Sequence, residues 1–162
     1  MGQPLPDVAL ASTQGGVVNS AHVAGRAVYF IYPYTGKVGH PDPENWDHIA
    51  GAHGSTPQAL AYAKTNDAFA KLNVKIFGVS LLSQEWQADF AALHRLPYPL
   101  LSDFEGHFSS TLSLPRFKTG GEEFLTRLTI IARDGIVSHI RFPVSSPQDD
   151  AQASLDILRE HS

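Results

Sequence analysis

The residues that could do chemistry gather in two places. One is Gly54-Ser55-Thr56-Pro57, where a hydroxyl stands at the point at which a helix can begin. Ser or Thr suits a helix start because its oxygen accepts from unpaired backbone N–H groups, and proline suits the first turn. A plain capping role therefore explains Ser55 without catalysis. A nucleophilic serine would need a base and an orienting third group. His53 is close in sequence, but the chain has no Gly-x-Ser-x-Gly elbow and nothing identifies the orienting carboxylate. The second place lies just before it, where His40, His48 and His53 accompany Asp42 and Asp47. Imidazole and carboxylate are ordinary metal ligands, yet the histidine spacings of eight and then five match no zinc pattern. The expectation is no metal and no cofactor. With no cysteine anywhere, disulfides, thiolate zinc sites and thiol chemistry are excluded for the molecule as it stands.

What holds these residues must be a modest α/β core. A chain of 162 residues with 43% hydrophobic content can bury enough surface to fold without staples, and residues 1–162 are expected to form one domain. A net charge of -4 and the lack of any Lys/Arg run argue against nucleic-acid binding. Small molecules or proteins fit better as partners. Met1 to Pro6 has neither a basic nor an apolar leader pattern, and Pro6 stands where a myristoylation signal needs Ser or Thr. No apolar run reaches the roughly 18 to 20 residues of a membrane span. A cytoplasmic chain free of the membrane is the expectation.

The order of elements is legible from turn signals and apolar periodicity. Gln14-Gly15-Gly16 between two short apolar pieces predicts an N-terminal β-hairpin. Arg26 to Tyr32 is a continuous β-branched and aromatic run stopped by Pro33, the pattern of a strand buried on both faces. Residues 33–54, rich in Pro, Gly, His and Asp, read as a long loop, and loops of that length tend to be functional. Trp46 would anchor it to the body of the domain or wall a pocket. A helix then opens at Ser55, with Ala61, Phe69 and Leu72 on its apolar face, followed by a strand over Val74 to Ser80. Ser83 would cap a second helix carrying Trp86, Phe90 and Leu93. A short helix is expected near Gly106 to Leu112. Strands over Leu125 to Ile131 and Ile136 to Phe142 flank the hairpin signal Asp134-Gly135, and Asp149 or Asp150 would cap a final helix. The sum is a thioredoxin-like α/β fold with an N-terminal β-hairpin and a central mixed sheet flanked by helices.

Five landmarks then stand in a familiar order. They are Tyr32-Pro33-Tyr34-Thr35-Gly36, the stretch Gly51-Ala52-His53-Gly54-Ser55-Thr56-Pro57-Gln58, Phe77-Gly78-Val79-Ser80, Pro99-Leu100-Leu101-Ser102-Asp103, and Arg127-Leu128-Thr129 leading into Arg133-Asp134-Gly135. From Pro4 to Leu158 the chain resembles the peroxiredoxins, in the branch similar to alkyl hydroperoxide reductase and bacterioferritin comigratory protein. Relatives with this long loop carry Gly-Cys-Thr-Pro-Gln where this chain has Gly54 to Gln58. The resemblance implies a thiol-dependent peroxidase of hydrogen peroxide or small organic hydroperoxides, with Ser55 at the place of the attacking cysteine. It implies that Arg127 is the arginine that stabilises the thiolate, that Thr35 supplies a hydroxyl beside it, and that Pro33, Gly54 and Thr56 shape the substrate pocket. An external thioredoxin- or glutaredoxin-like reductant is implied, and a homodimer is consistent with the family. A thiol at a helix start is acidified by the helix dipole and a nearby arginine, which is why such chemistry suits this position.

The chain departs from that pattern at three points. Ser55 is a hydroxyl that cannot climb the sulfur oxidation ladder, so the chain is expected to be inactive, as a Cys-to-Ser form or as a relative that lost the activity. A resolving cysteine five residues on would fall at Leu60, so the parent chemistry is of the one-cysteine type. The threonine three residues before the cysteine is Ala52 here, which shifts that role to Thr35. A surface pairing of Arg127 with Glu122 or Glu123 is the plain alternative, and Arg116 is a second candidate for the pocket. The rival function is a redox-dead thioredoxin-fold binding or regulatory module.

Overall fold

The computed structural model describes residues 2–37, 39–49 and 51–161; Met1, Ser162 and the loop positions Val38 and Ala50 lie outside the described residues. Strands β1 (Ala9–Ser12) and β2 (Val17–Asn19) pair antiparallel about the glycine turn, as expected. β3 (Arg26–Ile31) is central. Its neighbours are β4 (Val74–Ser80), parallel, and β8 (Leu128–Arg133), antiparallel. β5 (Leu100–Ser102) joins β4 to β1, and β9 (Ile136–Arg141) closes the other edge, giving the order β2-β1-β5-β4-β3-β8-β9. Parallel neighbours require long crossovers. These are α1 (Ser55–Lys64) with α2 (Asn66–Lys71) between β3 and β4, and α3 (Gln84–His94) between β4 and β5. A short α4 (His107–Thr111) follows, and α5 (Asp150–Glu160) ends the chain.

Alternation along β3 builds two cores at once. Val28, Phe30 and Tyr32 face Tyr62, Phe69, Phe90 and Leu155 from the helices on one side. Ala27, Tyr29 and Ile31 face Phe77, Phe108, Leu125 and Leu128 on the other. A strand buried on both faces reads as an unbroken apolar run, which is what residues 27–32 are. No helix among the described residues is long and apolar enough to cross a membrane.

The structure departs from the expected elements in five places. The helix expected from Ser55 through Leu72 is two, α1 and α2, with Thr65 between them and Phe69 on the second. The run from Leu125 to Ile131 is not one strand: β7 (Glu122–Leu125) pairs with β6 (Arg116–Thr119) in a separate hairpin, and Thr126-Arg127 connects it to β8. Leu93 is 72% exposed, because Phe90 and the buried Gln87 already fill the inner face of α3. Ser55 does not cap α1 but is its first residue, with Gly54 in the cap position. Neither Asp149 nor Asp150 caps α5 through its side chain; a 3-10 turn (Pro147–Asp149) leads in, and Asp150 points inward. Ser83, by contrast, caps α3 by accepting from the Trp86 N–H at 3.2 Å.

The long loop holds only a 3-10 turn (Trp46–His48) among its described residues. Trp46 is the pin. Its ring packs against Phe124 at 5.0 Å, Tyr34 at 5.4 Å and Phe117 at 5.8 Å between centroids. The Thr119 hydroxyl donates to the Glu44 carbonyl, so the unexpected hairpin is the base on which the loop rests.

Candidate active site

The start of α1 is built around Gly54, whose φ is +112°. Glycine adopts that conformation without steric cost. A Cβ there would also lie 2.7 Å from Pro147 Cγ, so the backbone passes where no other residue fits. Gly54 has no side chain to cap the helix, and the first-turn N–H groups lack intrahelical acceptors. Pro57 lacks an N–H, which leaves those of Ser55 and Thr56 beside a cavity of about 470 Å³ that both residues line.

Arg127 reaches this point from the β7–β8 connector. The side chain is buried, at 3% exposure, and lies against α1 rather than pairing with Glu122 or Glu123. Nη1–H donates to Ser55 Oγ at 3.2 Å and to Gln58 Oε1 at 2.6 Å; Nη2–H donates to the carbonyls of Gly51, Ala52 and His53. Burial pushes its pKa down to about 10, against the opposing attraction of Asp150, so it stays charged at neutral pH. Since Ser55 Oγ accepts from Arg127, its own proton remains free to donate outward.

Behind Arg127 lies a second layer that the sequence reading did not find. Asp150, fully buried, accepts at Oδ2 from Tyr62 OH (2.6 Å), Thr129 Oγ1 (2.7 Å) and Gln58 Nε2 (3.2 Å), and at Oδ1 from Arg141 Nε (2.9 Å). Gln58 thus stands between a donor and an acceptor, which sets the orientation of its amide. Its position three residues after Ser55, hence on the same helix face, was a usable signal. Asp150 offered none, being 92 residues from Gln58 in sequence.

The remaining candidates fall into place individually. Thr35 lines the Ser55 cavity; its carbonyl accepts from Trp86 Nε1 at 2.7 Å, and its buried Oγ1 has no hydrogen-bond partner among the described residues. Gly54 and Thr56 line the same cavity, with Tyr34 and Trp46 as aromatic walls. Pro33 instead lines a neighbouring cavity of about 770 Å³, which shares Tyr34. Arg116 lies there too, donating to Glu123 at 2.7 Å and to Ser109 Oγ, and is not part of the Ser55 cluster. The His53 ring pairs with Asp47 at 2.6 Å, and the His40 ring packs edge-on to Trp86. Ala52 is buried beside Trp46 and Phe124, and Leu60 is half-exposed on α1.

An arginine and a helix start converging on one buried residue is a site built to hold partial negative charge. The sequence model of the family described as Redoxin matches residues 1–156. The chain belongs to the Redoxin family. It is 29% identical over 127 residues to Peroxiredoxin Bcp of Bacillus subtilis (strain 168), covering 77% of this chain and 71% of that protein. Two solved structures share the fold. Peroxidoxin BcpB from Mycobacterium tuberculosis superposes with a TM-score of 0.78 at 24% identity, covering 99% of this chain and 97% of that one. A cysteine-to-serine mutant of PrxQ from Xylella fastidiosa gives 0.79 at 18% identity, with 99% and 96% covered. The Redoxin fold is therefore present across nearly the whole chain, without any cysteine.

Proposed function

We propose that residues 1–162 form one domain with the architecture of a thiol-dependent peroxidase for hydrogen peroxide or small organic hydroperoxides, held in a serine form that does not turn over. The observation that carries this reading is Arg127 Nη1 donating to Ser55 Oγ at the first residue of α1. In the working form a thiolate would occupy that place, stabilised by the helix start and the guanidinium. It would attack one peroxide oxygen, releasing water or an alcohol and becoming a sulfenic acid, which an external thiol then reduces. Ser55 keeps its proton and has no such oxidation state. Thr35, with Ser55 in the same cavity, is suited to hold the peroxide oxygens through its hydroxyl. Leucine rather than cysteine at position 60 supports a one-cysteine parent that relies on an external, thioredoxin- or glutaredoxin-like reductant. A cytoplasmic homodimer is part of the same reading.

The test is Ser55→Cys, followed by hydrogen peroxide consumption with a dithiol reductant. Turnover that falls by about 100-fold or more when Arg127→Ala is added supports the reading. No turnover in a folded Ser55→Cys chain overturns it. The lack of any cysteine favours a second reading, a redox-dead binding module, and the natural codon at position 55 separates the two.

A further inference from the structure

The Arg127 guanidinium is buried, yet every acceptor it meets among the described residues is neutral: Ser55 Oγ, Gln58 Oε1 and three backbone carbonyls. Buried charges are normally paired, because removal from water is costly unless an opposite charge offsets it. The carboxylate that comes nearest in the network, Asp150, is reached only through the Gln58 amide and is itself bound by Arg141 at 2.9 Å. Two guanidinium groups share one carboxylate, so the cluster keeps one positive charge.

Three further features converge on the same point. The ten-residue helix α1 begins there without a side-chain cap, and the Ser55 and Thr56 N–H groups have no acceptor among the described residues, so its positive end is open to an anion. Thr35 lines the cavity, and its hydroxyl is buried without a partner among the described residues. Ser55 Oγ has a proton to give. Asp42, at the cavity rim, is exposed, so water and salt weaken its repulsion of an anion. His53 is exposed and pairs with Asp47.

We propose that the Ser55 pocket is a binding site for a small monocarboxylate, which supplies the negative charge that Arg127 lacks. One carboxylate carries the single charge required, and its two oxygens can accept from the hydroxyls of Ser55 and Thr35 and from the helix start. The inference goes beyond the peroxide reading and rests on Arg127 and Ser55 as they stand. A hydroxyl in place of a thiolate turns a site with its own anion into one that must import an anion.

The unaltered chain is titrated with sodium acetate and sodium formate against sodium chloride at matched ionic strength, followed by amide NMR shifts and thermal midpoint. A saturable response of Thr35 and residues 54–56 to the carboxylates, absent with chloride, is expected. Ser55→Ala and Thr35→Val leave Arg127 in place and should each weaken acetate binding by about tenfold. In Ser55→Cys, acetate affinity should fall as pH rises through ionisation of the introduced thiol. The unaltered chain, which carries the same Asp42, His53, Tyr34 and Asp150, serves as control over that range. Equal effects of chloride and acetate, no saturable response, or full acetate affinity in the thiolate form would each overturn the proposal. Peroxide turnover by Ser55→Cys is independent of these outcomes, so failure of one reading leaves the other standing.

Discussion

Asp150 should be the most expensive single side chain to remove near the site. It is fully buried and accepts from Tyr62, Thr129, Gln58 and Arg141. Breaking a buried ion pair by deleting one partner costs about 3–5 kcal/mol, with the low end applying here because Arg141 is 29% exposed, and each stranded donor to a charged acceptor adds up to about 1.5–3 kcal/mol. Such terms within one network are not additive, so about 5 kcal/mol is the expectation for Asp150→Ala. That is a large share of the roughly 5–15 kcal/mol by which folded domains are held. Asp150→Asn keeps the volume, but its NH₂ group cannot accept, so an intermediate loss of about 2–3 kcal/mol is expected. Urea unfolding followed by far-UV circular dichroism reads both, with an unchanged slope showing that stability alone has moved. A loss below about 1 kcal/mol for Asp150→Ala would refute the claim that this carboxylate ties α1, β8, β9 and α5 together.

Two other outcomes follow from the same packing. Burial holds the hydroxyls of Tyr29, Tyr62 and Tyr98 well above their ordinary range and pushes Tyr32 up to about 12. Above pH 10, their ordinary value, the unfolded chain releases these protons while the folded chain keeps them, so stability falls as pH rises. Each group contributes about 1.4 kcal/mol per pH unit, and Arg127, depressed to about 10, opposes them as one group against four. Phenolate absorbance should therefore appear together with unfolding between about pH 10 and 12; ionisation of all the tyrosines near pH 10 in a still-folded chain would contradict this. Gly54→Ala places a Cβ 2.7 Å from Pro147 Cγ at a φ of +112°, and should lower stability by about 2 kcal/mol, or roughly 4–8 °C in thermal midpoint. An unchanged midpoint would show that the α1 start does not need glycine.

Much of the frame was legible because it is local. The unbroken run of residues 27–32 has the pattern of a doubly buried strand, and Asp134-Gly135 that of a tight turn, as its φ values of 50° and 78° bear out. The β6–β7 hairpin was missed, although Gly120-Gly121 between two strand-like pieces was a turn signal of the same kind. The apolar pattern continues from Leu125 into Leu128, and that continuity hid the break at Arg127, where the chain leaves one sheet for another. Leu93 looked like core because its spacing is helical, but spacing does not report that the neighbouring turn is already covered. The Ser55–Arg127 meeting came from resemblance rather than pattern. The Gln58–Asp150 layer behind it depends on how α5 docks, which no local signal encodes.

Position 55 is proposed as the place where peroxide is attacked. A folded Ser55→Cys chain, treated with one equivalent of hydrogen peroxide in the absence of any reductant, is analysed by intact mass spectrometry with a sulfenic-acid trap. Rapid gain of one oxygen atom at residue 55, trapped as a single adduct, is expected, with no change in the unaltered chain. A thiol at that position reacting no faster than free cysteine would contradict it.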